Sequence, residues 1–131
     1  MHTTLITTLH WLFPVFEGIV YGVAAMILHE CAHVIAAAWV GIKVSSVGIR
    51  WKGIYTVREA GPPDKNLIVS LAGPATNLVL AFVWGWLPYF ALANICMGLC
   101  NLLPIRGSDG LRVLKCWQAM RRQKTNGGSA E

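Results

Sequence analysis

Apolar residues follow two rhythms along this chain. From Phe16 to Val40, and again from Asn66 to Tyr89, they run almost without interruption, whereas between Val44 and Glu59 they alternate with polar ones. Runs beyond about 18 mostly apolar residues predict membrane-spanning helices. At 1.5 Å per residue the first run makes a helix of roughly 38 Å, enough to cross about 30 Å of hydrocarbon with some tilt. The alternation predicts a hairpin, with Val47, Ile49 and Trp51 on one face of its first strand, Tyr55 and Val57 on one face of its second, and Lys52-Gly53 at the turn. A third apolar run from Phe90 is short for a full span. It closes in a stretch carrying Pro104, Gly107 and Gly110, which reads as unwound backbone. After Ser108, Leu111, Leu114 and Trp117 fall on one side of a helix and Arg112, Lys115 and Arg122 on the other, the pattern of an amphipathic surface helix.

The expected architecture is an all-α membrane protein: a three-helix transmembrane core, a short β-hairpin between the first two spanning helices, and a C-terminal amphipathic helix. Residues 1–15 form an interfacial segment that ends at the break of Pro14, or the start of a longer helix kinked there, and 16–40 the first spanning helix. Residues 41–65 carry the hairpin. The second spanning helix covers 66–89, broken locally at Gly73-Pro74 and edged by Trp84, Trp86 and Tyr89 like an aromatic belt. Residues 90–105 form the third, broken segment, 108–122 the surface helix and 123–131 a Gly- and Ser-rich disordered tail. Gly18 and Gly22 make a small-x-x-x-small pair suited to close helix approach. One domain accounts for the whole chain.

Composition agrees with a membrane setting. Of 131 residues 55% are hydrophobic and only 13% charged, with a mean hydropathy of +0.52. The net charge of +5 does not point to nucleic acid, because its placement follows the membrane pattern instead. Lys43, Arg50, Lys52, Arg58 and Lys65 lie between the two long runs; Arg106, Arg112, Lys115, Arg121, Arg122 and Lys124 follow the last. A helix out and a helix back put both groups on one side. The positive-inside rule assigns that side to the cytoplasm and the N-terminus, with no Lys or Arg before Lys43, to the outside. The first fifteen residues lack the basic region of a secretory signal. Cys31, Cys96, Cys100 and Cys116 show no C-x-x-C spacing and read as packing residues.

Within the first apolar run stands His29-Glu30-Cys31-Ala32-His33. An ionisable group near the bilayer centre costs about 2.5–3.5 kcal/mol on insertion scales, so these three side chains must pair, bind something or line a wet cavity. Four residues apart on a helix, His29 and His33 project from nearly one face and can share a metal ion. Glu30 is turned about 100° from His29. There it stays out of the ligand shell yet within reach of a water that the metal activates, the arrangement in which two histidines hold zinc and the glutamate is the general base. The alternative is a set of polar packing contacts.

A catalytic zinc usually takes three protein ligands and keeps one open position. Glu17 sits a turn from the outer end, Glu59 and Asp64 in a basic loop, and Glu131 in the tail. Asp109 lies at the break in a membrane-embedded segment and is the third candidate. It also suits a helix N-cap.

Three stretches together resemble the site-2 protease family of intramembrane zinc metalloproteases. They are HECAH at His29 to His33, the G-x-x-x-N pattern from Gly73 to Asn77, and the N-x-x-P-x-x-x-x-D-G pattern from Asn101 through Pro104 to Asp109 and Gly110. The resemblance implies that His29, His33 and Asp109 bind Zn2+ and that Glu30 is the catalytic base. It implies that Asn77 and Asn101 contact the substrate or the oxyanion, where interhelical hydrogen bonding is the other reading of each. The implied activity is hydrolysis of a peptide bond in or near a transmembrane helix of a membrane-protein substrate, with the hairpin guiding that substrate. Strand addition to the hairpin edge would compensate the hydrogen bonds a substrate helix loses on unwinding. The pattern departs from the family at Leu111, where Asp-Gly is commonly followed by a second glycine. There is no room for PDZ or CBS domains, so a bare core is expected, open to self-association or a regulatory membrane partner. A catalytically silent zinc-binding protein that holds or chaperones a partner helix is the competing reading.

Overall fold

A computed structural model describes the backbone of residues 2–50 and 53–127, with side chains for 12–49 and 55–126. The chain opens with helix α1 (His2–Val40), which runs through Pro14 without interruption. The expected interfacial segment at 1–15 is therefore mostly the first turns of this helix. A proline removes one backbone hydrogen bond, and in apolar surroundings the flanking turns have no better partners than each other. The helix ends where Gly41 adopts φ +74°. Gly41 N–H bonds Ala38 O (3.2 Å) and Ile42 N–H bonds Ala37 O (2.8 Å), a Schellman closure that folds Ile42 back into a small buried cluster with Ala36, Ala37 and Val69.

Strands β1 (Val44–Arg50) and β2 (Gly53–Arg58) pair antiparallel, with Val47 opposite Thr56 and Gly48 opposite Tyr55. A Cβ on Gly48 would lie 2.8 Å from the Tyr55 hydroxyl, so the glycine gives that side chain its place over the strand. Of the expected turn and first face, Lys52 and Trp51 lie outside the described residues.

Helix α2 (Pro63–Val83) continues through Gly73-Pro74, where a break was expected, and Pro74 is buried within it. It stops at Val83 rather than Tyr89. Residues 84–87 make a turn, and Pro88, whose fixed φ suits a first helical turn, starts α3 (Pro88–Leu102). This third apolar segment is an unbroken helix, and the irregular backbone follows it, with Gly107 at φ +93°. Helix α4 (Asp109–Gly127) outlasts its expected end at Arg122, so 123–127 are helical rather than tail. Gln and Lys are good helix formers, and the Thr125 hydroxyl donates to Arg121 O (2.9 Å).

Helix α2 is central and packs against α1, α3 and α4. Its neighbours come close because the contacts are small: Ala25, Ala36, Ala37, Ala81 and Ala91 are buried, while Trp39 is 80% and Phe82 89% exposed. Among the described residues, the buried polar side chains are His29, His33, Ser70, Asn77, Asn94, Ser108 and Asp109. Small and polar groups inside with large apolar groups outside is the distribution that hydrocarbon surroundings favour. Leu12–Val40 and Pro63–Val83 are each long and apolar enough to cross a membrane; α3 is apolar but shorter. Gly18 and Gly22 face open space.

Candidate metal centre

Three elements converge on one point. The i, i+4 pair on α1 aims both imidazoles at α2, and the first residue of α4 brings in the Asp109 carboxylate. His29 Nε2 and His33 Nε2 each lie 3.0 Å from Asp109 Oδ2 and 3.1 Å from each other. All three residues are buried.

The far side of each ring fixes what these atoms are. His29 Nδ1 is 2.7 Å from Asn77 Oδ1, and His33 Nδ1 is 2.6 Å from Val69 O. Both partners accept only, because Asn77 Nδ2 is turned to two other acceptors, Ala25 O (3.1 Å) and Asn94 Oδ1 (2.8 Å). Each Nδ1 therefore carries the proton, and each neutral ring presents a bare lone pair at Nε2. Two lone pairs then face a carboxylate oxygen in a triangle with 3.0–3.1 Å edges. Such a cluster repels itself unless a cation lies among the three. Tetrahedral zinc with bonds near 2.0 Å holds its donors about 3.3 Å apart, close to these edges. The donor set and its outward hydrogen bonds fit a metal ion.

Glycine makes the convergence possible. A Cβ on Gly73 would lie 2.6 Å from His33 Nε2 and 2.7 Å from His29 Nε2, so only a bare backbone lets α2 pass the two imidazoles. Gly110 serves the same purpose below the site, where a Cβ would run into Leu102 O.

Asp109 is not the helix cap. That role falls to Ser108, whose Oγ accepts from Leu111 N–H (3.3 Å) and donates to Ile105 O (2.8 Å). Leu111 is thus an ordinary helical residue, and a second glycine is not needed there. At the start of α4 the Asp109 carboxylate also gains from the helix dipole. Its other oxygen, Oδ1, faces Arg112 Nη1 at 3.4 Å.

Glu30 stands aside from the three donors, half-buried, and its Oε2 accepts a hydrogen bond from the Thr56 hydroxyl on β2 (2.9 Å). It lines an apolar groove of about 390 Å³ between α1 and β1, with Ile27, Val34, Ile35 and Val47. Arg58, two residues along β2, donates to Ser70 Oγ on α2 (2.8 Å). Burial, and then the nearby Arg112, push its guanidinium below the usual range.

No family model matches the sequence. Rip3 of Mycobacterium tuberculosis, named as a candidate zinc metalloprotease, is 31% identical over 127 residues, covering 82% of this chain and 32% of its own length. A candidate zinc metalloprotease of Synechocystis sp. is 30% identical over 113 residues, covering 72% of this chain and 30% of its own. The solved site-2 protease of Methanocaldococcus jannaschii matches with a TM-score of 0.68 at 21% identity, over 77% of this chain and 53% of that one. The chain belongs to the site-2 protease family. It spans about a third of the length of the curated relatives it matches.

Both amides expected to touch substrate make hydrogen bonds inside the bundle. Asn77 is fully buried behind His29, and both hydrogens of its Nδ2 are engaged, so it offers no donor to an oxyanion in this arrangement. The Asn101 amide turns back on its own helix, to Met97 O (3.0 Å). Three contributors escaped the sequence reading. Asn94 is fully buried and fixes Asn77, with its own Nδ2 donating to Phe90 O (2.9 Å). A lone amide in an apolar run is the same signal that singled out the histidines. Thr56 carried no signal beyond its place in the alternation, and the Val69 carbonyl carried none.

Proposed function

We propose that this protein is an intramembrane zinc metalloprotease that hydrolyses a peptide bond in or near a transmembrane helix of a membrane-protein substrate. The observation that carries this reading is the buried triangle of His29, His33 and Asp109 donors beside the unligated Glu30. A zinc ion held by those three side chains would supply Lewis acidity to a water and to the scissile carbonyl. Glu30 would act as the base that takes a proton from the attacking water and returns it to the leaving amine nitrogen. Asn77 and the Val69 carbonyl keep the two imidazoles in the tautomer that presents Nε2. The Thr56 hydroxyl holds one oxygen of Glu30 and leaves the other for the proton.

The apolar groove beside Glu30 suits an unwound, lipid-soluble substrate segment, with the β1 edge at Val47 supplying backbone pairing in strand addition. In this reading the three apolar helices form a transmembrane core in the bilayer. The N-terminus lies outside, and the basic hairpin and C-terminus lie in the cytoplasm. A homo-oligomer or regulatory membrane partner is compatible with the exposed apolar faces.

The test is cleavage of synthetic transmembrane peptides in lipid nanodiscs by zinc-loaded protein, read by mass spectrometry. Glu30→Gln should keep zinc and abolish cleavage. Equal products from wild type and Glu30→Gln would mean that the activity does not come from this site. No cleavage by either, with zinc bound, would favour a silent zinc protein that holds a partner helix.

A further inference from the structure

A second cavity, of about 390 Å³, lies on the hairpin side of the metal centre and is of different character from the apolar groove. Thr56, Arg58, Glu59, Asn66 and Arg112 line it. Two of these side chains reach the reacting groups directly, Thr56 through Glu30 Oε2 (2.9 Å) and Arg112 through Asp109 Oδ1 (3.4 Å). The cavity therefore opens beside the base and beside one metal ligand.

Its two arginines keep donors in reserve. Among the described residues, Arg58 uses one donor on Ser70 Oγ and Arg112 one on Asp109, and each guanidinium carries five N–H groups. Asn66 is already engaged with Gly61 O. Glu59, the acid in the lining, is exposed. Arg58 is half-buried; burial and the like charge of Arg112 act against its guanidinium, while Asp109 and Glu30 act in its favour. The spare N–H groups of both side chains border one polar cavity, and the planar fork of a guanidinium matches a carboxylate.

We propose that Arg58 and Arg112 form a carboxylate-binding subsite that selects an acidic side chain on the substrate, next to the scissile bond on the hairpin side. The proposal rests on the metalloprotease reading, since it takes the peptide to lie between Glu30 and the hairpin. A lipid phosphate would satisfy the same donors, but the cavity adjoins Glu30 and Asp109 rather than the apolar perimeter, which favours the peptide.

Binding is measured on zinc-loaded protein carrying Glu30→Gln, in phosphatidylcholine nanodiscs, by fluorescence anisotropy. The probes are synthetic apolar helices in which a single Asp, or Asn as its neutral isostere, is walked through successive positions of the flanking segment. One register should bind Asp about tenfold tighter than Asn. Arg58→Gln with Arg112→Gln should erase that ratio, and Arg112→Glu should turn the preference towards Lys at the same register. Equal binding of Asp and Asn at every position would overturn the subsite. So would a preference that survives the double substitution, since the net positive charge alone would then explain it. Loss of the preference on replacing the lipid with phosphatidylglycerol would assign the cavity to lipid phosphate and also overturn the proposal. Cleavage of the same peptides by the protein with Glu30 intact is scored separately. Cleavage without an Asp preference sinks the subsite alone, and an Asp preference without cleavage sinks the protease reading.

Discussion

His29 Nδ1 and Asn77 Oδ1 are 2.7 Å apart, and this contact, on the side of the ring away from Asp109, aims the metal-facing nitrogen. Asn77 is held in turn by Asn94, so the orientation of the His29 imidazole on α1 is set from α3 through an amide on α2. Removing such outer partners of a ligating histidine commonly costs 10–100-fold in metal affinity.

Asn94→Ala should therefore weaken zinc binding by roughly that factor, although Asn94 is no ligand. Competition with a chelator of known affinity measures it. Unchanged affinity at equal folded amounts would show that Asn77 keeps its orientation without α3.

Gly73→Ala places a methyl group within 2.7 Å of both Nε2 atoms. The helices must part or the imidazoles must turn. The expected result is loss of zinc binding together with a destabilisation of about 1–3 kcal/mol, the usual range for overpacking. Zinc titration and thermal unfolding in detergent read the two effects. A variant that binds zinc like wild type would mean that α2 does not pass the rings this closely.

Thr56→Val keeps the shape of the side chain and removes its hydrogen bond to Glu30. Zinc content should be unaffected, while peptide cleavage should fall by roughly tenfold, as expected for loss of a hydrogen bond to a charged group. Thr56→Ser should restore it. Equal rates in wild type and Thr56→Val would leave the hairpin no part in positioning the base.

The sequence made two things legible and concealed others for physical reasons. His29, Glu30, His33 and Asp109 stood out because ionisable groups in apolar surroundings demand partners, and the structure brings the two histidines and Asp109 into one cluster. The Gly73 to Asn77 spacing was legible only as a pattern. Its content is steric at one end and tautomeric at the other, which emerges once α2 is laid against α1. Helix boundaries misled at Pro14 and at Gly73-Pro74, where residues that break helices in water are carried inside α1 and α2. In hydrocarbon an interrupted helix leaves bare backbone groups without water to satisfy them, so continuity wins. Ser108 took the cap that Asp109 also suited, because one hydroxyl serves both the loop before it and the helix after it.

If His29, His33 and Asp109 hold one metal ion, the metal content of the protein shows it. Protein purified in mild detergent, wild type beside Asp109→Ala at equal folded amounts, is assayed for bound zinc by mass spectrometry. About one zinc per chain is expected in wild type and a large loss in the variant, since a three-donor site reduced to two binds far more weakly. A wild-type protein that carries no zinc and takes none up would contradict it.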